Sequence, residues 1–190
     1  MTHTNARTLR NALTAALEGA ASDGTRPVLE TVHIALGSSQ AVFTGMDGWI
    51  IIQVRIPIHD GPTAPVSAML ERSDVIDTIK RLKGIGYGDV PLEFSDGRWT
   101  YGEHTMTCAD FMKRPDHRNV FEMVLASAQP AFKLADPKLL QRALKHAPST
   151  VRIELHDMTV LISGDNYRAV VMGVSGGKSD AFAFTHLEAN

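Results

Sequence analysis

The chain has 190 residues, 44% of them hydrophobic and 21% charged, proportions of a globular protein with a buried core rather than of a disordered or fibrous chain. With a net charge of −2 and a single cysteine, it has no bulk attraction for phosphate and cannot close an internal disulfide or a thiolate metal cage. Its fold must rest on packing, and any nucleic-acid surface requires local segregation of Lys and Arg. The first residues, Met1-Thr-His-Thr-Asn-Ala-Arg7, lack the basic-then-apolar layout of a signal peptide and no long apolar window follows, so the expected location is the cytoplasm.

In chain order, Leu9, Leu13, Ala16, Leu17 and Ala20 recur at helical spacing and predict an amphipathic helix over 6–21, ended by Ser22-Asp23-Gly24. Pro27 then favours an extended chain, and strands are expected over 29–36, 41–44 and 49–58. In the last of these Ile50, Ile52, Val54, Ile56 and Ile58 fall on one face, and Gln53 and Arg55 on the other. Met46-Asp47-Gly48 reads as the intervening turn. A strand over 66–70 leads to a helix over 73–83 that buries Val75, Ile76, Ile79 and Leu82 and is stopped by Gly84-Ile-Gly-Tyr-Gly88; three strands follow, over 90–94, 98–101 and 105–108. Residues 111–124 read as an irregular connection, with Pro115 barring a continuous helix. Phe132-Lys-Leu134 reads as a strand, and Asp136 caps a helix with Pro137 at its first position and Leu139, Leu140, Ala143 and Leu144 as its stripe. Strands over 151–155, 159–163 and 167–174 complete the pattern. The order strand, helix, three strands thus occurs over 66–109 and again in the last unit, a weak repeat of about 45 residues. Residues 175–190 read as a flexible tail ending in Ala181-Phe-Ala-Phe184.

Motifs for catalysis or metal binding fail on context. Gly173-Val-Ser-Gly-Gly177 matches a nucleophile elbow, but no helical stripe follows it, and the only later acid-histidine combination, Asp180 and His186, lies close by in the tail. Gly84-Ile-Gly-Tyr-Gly88 follows a helix, whereas a dinucleotide loop must follow a strand. None of the eight histidines forms a pair at zinc-binding helical spacing. Glu154, Asp157 and Asp165 read as solvated loop acids, and Cys108 as a small packed hydrophobe. No catalytic residue, metal or cofactor is expected.

The local strings and their order resemble the bacterial sliding-clamp family, the beta subunit of DNA polymerase III. Thr25-Arg-Pro-Val-Leu29, then Phe43-Thr-Gly-Met-Asp-Gly-Trp49 running into Val54-Arg-Ile-Pro57, is similar to the segment of that family's middle domain ending in T-D-G-H-R-L. Arg114-Pro-Asp-His-Arg-Asn-Val120 resembles F-P-D-Y-R-R-V, and Val151-Arg-Ile-Glu-Leu155 with Ala169-Val-Val-Met-Gly173 resembles the end of the C-terminal domain. The resemblance spans about residues 6–174 and implies an α+β DNA-clamp fold of βαβββ units with helices on one face of antiparallel sheets. It further implies a clamp-type domain over 1–125, a half domain over 130–175 and a tail over 176–190.

It also implies a non-enzymatic factor of replication or repair. Partner peptides of polymerases or repair proteins would bind a pocket walled by Leu29, Met46, Gly48, Trp49, Ile51, Pro115, Val120, Val170, Val171 and Met172. The chain departs from the family where Trp49 and Ile50 replace a His-Arg pair, Asn119 an Arg and Gly173 a Pro, changes that make the site more apolar. Double-stranded DNA would meet the helices through Arg7, Arg10, Lys80, Lys83, Lys138, Arg142 and Lys145, in sequence-independent phosphate contacts. A lone half domain would expose an apolar face, which predicts a homo-oligomer; Asp180-Ala-Phe-Ala-Phe184 of the tail loosely resembles the family's clamp-binding peptides, with filling its own or a neighbour's pocket as one fate of the tail and disorder as the favoured one. A regulator that binds clamp partners without encircling DNA is the alternative.

Overall fold

The computed structural model describes residues 2–110, 117–126, 136–156 and 159–173. β1 (Thr2–Asn5) leads into α1 (Ala6–Gly19), whose start is fixed by the Asn5 carboxamide accepting from the amides of Arg7 and Thr8. A 3-10 turn at Pro27–Leu29 precedes β2 (Thr31–Leu36), β3 (Gln40–Met46) and β4 (Ile50–Pro57). β5 (Val66–Glu71) runs into α2 (Arg72–Ile85), followed by β6 (Asp89–Ser95), β7 (Arg98–Tyr101) and β8 (His104–Thr107). α3 (His117–Ala126) stands between these and α4 (Pro137–Leu144), after which come β9 (Arg152–His156), β10 (Thr159–Gly164) and β11 (Tyr167–Met172).

Among the described residues the strands form two antiparallel sheets, ordered β1-β6-β7-β8 and β5-β2-β3-β4-β11-β10-β9. The sheets interlock through a strand exchange. The strand before α1 caps the first strand after α2 (Thr2 opposite Leu92), and the strand before α2 caps the first strand after α1 (Val32 opposite Leu70). The larger sheet then continues into the last unit, because β11 pairs with β4, Val171 opposite Ile50.

One main core joins α1, α2 and α4 to the sheets; it takes Ile50, Ile52, Val54 and Ile56 from the predicted face of β4, and Ile58 just past its end. α1 lies close on β3 and β4 because five of its seven buried residues are alanine or glycine. A Cβ added at Gly45 would stand 1.9 Å from the Ala16 carbonyl oxygen, and one at Gly19 would stand 2.5 Å from the Gly45 carbonyl oxygen. The two backbones therefore touch directly, a separation that only glycine permits.

Two sequence expectations need correction. The stretch read as irregular contains α3, since Pro115 precedes the helix and does not interrupt it. α2 runs to Ile85, two residues beyond the expected 83, and ends inside the expected Gly84-Ile-Gly-Tyr-Gly88 stop at Gly86, with φ +72°. β1 was not expected at all; its sequence, Thr-His-Thr-Asn, has no apolar alternation, and its place is set by pairing with β6 and by a two-way backbone bridge between His3 and His59. The predicted strand over 132–134 and the tail lie outside the described residues.

Candidate functional site

The β4–β11 seam carries a second, smaller apolar cluster on the sheet face opposite the main core. Ile51 sits across from Val170, and Val170 in turn across from Leu161 of β10. Residues directly opposite in an antiparallel pair share a face, so these three form one patch. Phe121 of α3 covers it, and Met46, Val120 and Met172 pack around the edge. Phe121, Ile51, Leu161 and Val170 are all buried.

A polar border runs beside the patch. The Arg168 guanidinium stacks 3.9 Å from the Phe121 ring centroid and donates to Gln53 Oε1 at 2.7 Å, while Gln53 Nε2 donates to Thr44 Oγ1 at 3.0 Å. Burial, and then the neighbouring Arg55 charge, lowers the Arg168 pKa from its ordinary value. That leaves a cation on the aromatic face, a favourable arrangement.

The turn that begins β4 is tied from two directions. Asp47 Oδ1 accepts from the amides of Trp49 and Ile50 at 2.9 and 3.0 Å, and Gly48 takes φ +95°, the left-handed region suited to glycine. Arg26 donates to the Asp47 carbonyl at 2.7 Å, and Arg142 of α4 pairs with Asp47 Oδ2 at 2.9 Å. The amide of Met172 donates to the Trp49 carbonyl at 2.7 Å, so the last strand holds the same turn. Trp49, fixed at its backbone, leaves 55% of its surface exposed.

Of the residues expected to wall a pocket, Met46, Ile51, Val120, Val170 and Met172 come together in this cluster; Gly48 and Trp49 stand in the turn before β4, tied to Met172 through the Trp49 carbonyl, and Trp49 lines a separate cavity with Glu18, Asp47 and Arg142. Val171 does not join them; consecutive strand residues point to opposite faces, and Val171 belongs to the main core. Leu29 is buried outside the cluster, and Pro115 lies outside the described residues. Sequence reading missed Phe121, Leu161, Arg168 and Arg26, and it gave Arg142 to DNA instead of to the turn. The alternation that selected Val170 also selects Leu161, its cross-strand partner.

The predicted basic surface is partly committed to internal contacts. Arg142 donates from Nε to the Glu18 carbonyl at 3.2 Å besides its pair with Asp47, and Lys145 pairs with Glu18 at 2.5 Å. These two therefore fasten α4 to the end of α1, Arg142 half-buried and Lys145, like Lys138, still exposed. Lys80 pairs with Asp77 at 2.9 Å, and Arg7 donates to the Tyr87 hydroxyl and stacks on its ring; Lys83 is exposed and Arg10 half-buried.

Glu18 anchors this fastening. Burial pushes its pKa up, but the bond and charge of Lys145, with His146 behind them, outweigh that and hold it below the ordinary 4.5. A carboxylate whose folded pKa is depressed stabilises the fold above its unfolded pKa and loses that contribution as pH falls through the folded value. Glu18→Gln should therefore lower the melting temperature at pH 7 by a few degrees, and the gap to the parent chain should close as the pH is taken from 5 to below 4. A gap independent of pH would remove the ion pair from this role.

Among the described residues no group of His, Cys, Asp and Glu could hold a metal ion, and no helix is long and apolar enough to cross a membrane. Cys108 is half-buried and packs against the main core.

Two interlocked sheets, with units in the order strand, helix, three strands and a seam between third strands, define the DNA-clamp fold. Solved structures with this fold include the DNA polymerase III beta subunit of Thermotoga maritima, at 13% identity and TM-score 0.78 over 93% of this chain and 66% of that one. The beta subunit of the Streptococcus pyogenes polymerase matches at 13% identity and TM-score 0.71, over 94% of this chain and 66% of its own length. The Pseudomonas aeruginosa sliding clamp matches at 15% identity and TM-score 0.71, over 92% of this chain and 66% of its own. The chain thus spans just under two thirds of each and has the fold of a bacterial sliding clamp. No protein-family model and no curated protein sequence matches it.

Proposed function

We propose that this chain is a non-enzymatic, sliding-clamp-like factor of DNA replication or repair, acting in the cytoplasm by binding short partner peptides at the β4–β11 seam. Residues 1–125 would serve as one clamp-type module and 130–175 as half of another. The observation that carries this reading is the half-buried apolar rim of Met46, Val120 and Met172 around the buried Ile51 and Val170, built from both parts of the chain and joined to the turn that holds the exposed Trp49. A few anchored apolar side chains supply most of the affinity for a short linear peptide, and a polar border fixes its direction. Trp49, Met46 and Met172 offer the adaptable contacts, and Arg55 and Arg168 the border.

The second reading, a regulator that binds clamp partners without encircling DNA, is favoured by one observation: Arg142 and Lys145 are engaged by Glu18 and Asp47. Retention on circular DNA separates the two. A ring that holds DNA stays on a closed circle at moderate salt and is released when the circle is cut. A regulator is not retained in either case, and simple phosphate contact falls with salt equally on both.

A further inference from the structure

We propose that the sheet face beside the β10–β11 turn carries a second binding site, for a compact oxyanion of the phosphate type held between Arg168 and Arg55. It goes beyond the peptide reading and can be tested without any partner. The site begins where the apolar patch ends. Two residues along from Val170 and Ile51, and therefore on the same face, stand Arg168 of β11 and Gln53 of β4, directly opposite one another. Ser163 of β10 faces Arg168 from the other side. Arg55 follows Gln53 by two more residues, which makes it the diagonal neighbour of Arg168; such neighbours lie about 7–8 Å apart, within reach of two long side chains. A cavity of about 200 Å³ opens there, lined in part by Gln53, Arg55, Ser163, Asn166 and Arg168.

Arg168 is set in place before any ligand arrives. Its guanidinium lies 3.9 Å from the Phe121 ring centroid, and its Nε donates to Gln53 Oε1 at 2.7 Å, with Gln53 itself held by Thr44. Its two terminal nitrogens make no hydrogen bond among the described residues, and such a pair of nitrogens matches two oxygens of one anion. Most of the side-chain freedom that an arginine gives up on binding is already gone. Arg55 enters from an exposed position, its backbone amide fixed by the Asn166 carbonyl at 2.9 Å.

Charge decides the sign of the ligand. The two guanidiniums are close enough for Arg55 to depress the Arg168 pKa, behind the larger effect of burial. The free cleft thus carries repulsion between cations where one of them is half-buried and poorly screened. An anion between them removes that repulsion and accepts charge-assisted hydrogen bonds from both. Asp165, the only acid lining the cavity among the described residues, is exposed at the turn and pairs with neither arginine. The cavity is smaller than the roughly 300–1,000 Å³ of sites for drug-sized ligands, so the oxyanion is a free ion or the end of an acidic side chain. α1 and α4 pack on the opposite face of this sheet with the main core, so the site is separate from the basic helices.

Inorganic phosphate is titrated into the isotope-labelled full-length chain at constant ionic strength, while the Arg168 Nε–H and the Asn166 amide are followed by NMR. Saturable shifts in the millimolar range are expected. Arg55→Gln removes a side chain with no hydrogen bond or ion pair among the described residues, so the melting temperature should not fall. The phosphate dissociation constant should rise about tenfold, the scale for losing a hydrogen bond to a charged group. Arg55→Lys should recover part of the loss, because it keeps the charge without the fork. Shifts that stay linear to tens of millimolar, or that Arg55→Gln leaves as they were, overturn the proposal. Peptides separate the two sources of the oxyanion. A leucine-phenylalanine peptide ending in two glutamates is compared with its glutamine counterpart. A preference for the acidic peptide that Arg55→Gln abolishes assigns the site to a partner's acidic side chain, and equal affinities assign it to free phosphate. Because phosphate is read without any peptide, a chain that binds phosphate and neither peptide counts against the peptide reading alone.

Discussion

Gly45→Ala should cost the protein about 3 kcal/mol, near the upper end of what overpacking a core costs, and lower the melting temperature by about 6–12 °C for a chain of this size. The new methyl would stand 1.9 Å from the Ala16 carbonyl oxygen and 2.9 Å from the Ala20 amide nitrogen. Those are backbone atoms of α1, with no rotamer to move, so α1 must lift from β3 and take Leu9, Leu13 and Ala16 away from the sheet. Chemical denaturation measures the loss. Gly84→Ala is the control of opposite sign. It lies inside α2 with open space around its Cβ, and should gain about 0.5–1 kcal/mol from the reduced freedom of the unfolded chain.

The second large effect is expected at Phe121. Phe121→Ala empties the centre of the small cluster and strips the aromatic face from Arg168, for a loss of about 3–5 kcal/mol. It should also weaken a bound peptide, because Val120 and Met172 lose the side chain that packs beside them. Phe121→Leu keeps most of the volume but not the ring, so it should restore most of the stability and leave the Arg168 contact unmade. If Phe121→Ala unfolds like the parent chain, α3 does not cover the seam in solution.

How far the sequence could be read depended on whether a residue's surroundings are local. The alternation of β4 was plain in five isoleucines and valines on one side, and the start of α4 was plain in Asp136 and Pro137, because strand pleat and helix caps depend on near neighbours. β1 was invisible for the opposite reason: a polar tetrapeptide becomes a strand only because β6 offers an edge. The pocket prediction placed Val170 and Val171 on one wall, although adjacent strand residues cannot share a face. The positive stripe of α4 had the right spacing, but nothing near it in sequence indicated that Glu18 and Asp47 would claim Arg142 and Lys145. The seam itself depended on resemblance alone, since no local signal announces that β11 will pair with β4.

Trp49 gives the most direct measurement of the peptide reading. The protein has two tryptophans, and the other, Trp99, is fully buried while Trp49 is 55% exposed, so a change in emission on adding ligand reports the seam. A synthetic peptide of about ten residues with spaced leucine and phenylalanine anchors should shift the emission saturably. Met172→Ala should weaken that binding about tenfold or more, as expected for loss of an anchor contact, and Trp49→Phe should abolish the signal. A flat titration to millimolar peptide, or an affinity indifferent to Met172, would contradict a binding cleft between the two parts of the chain.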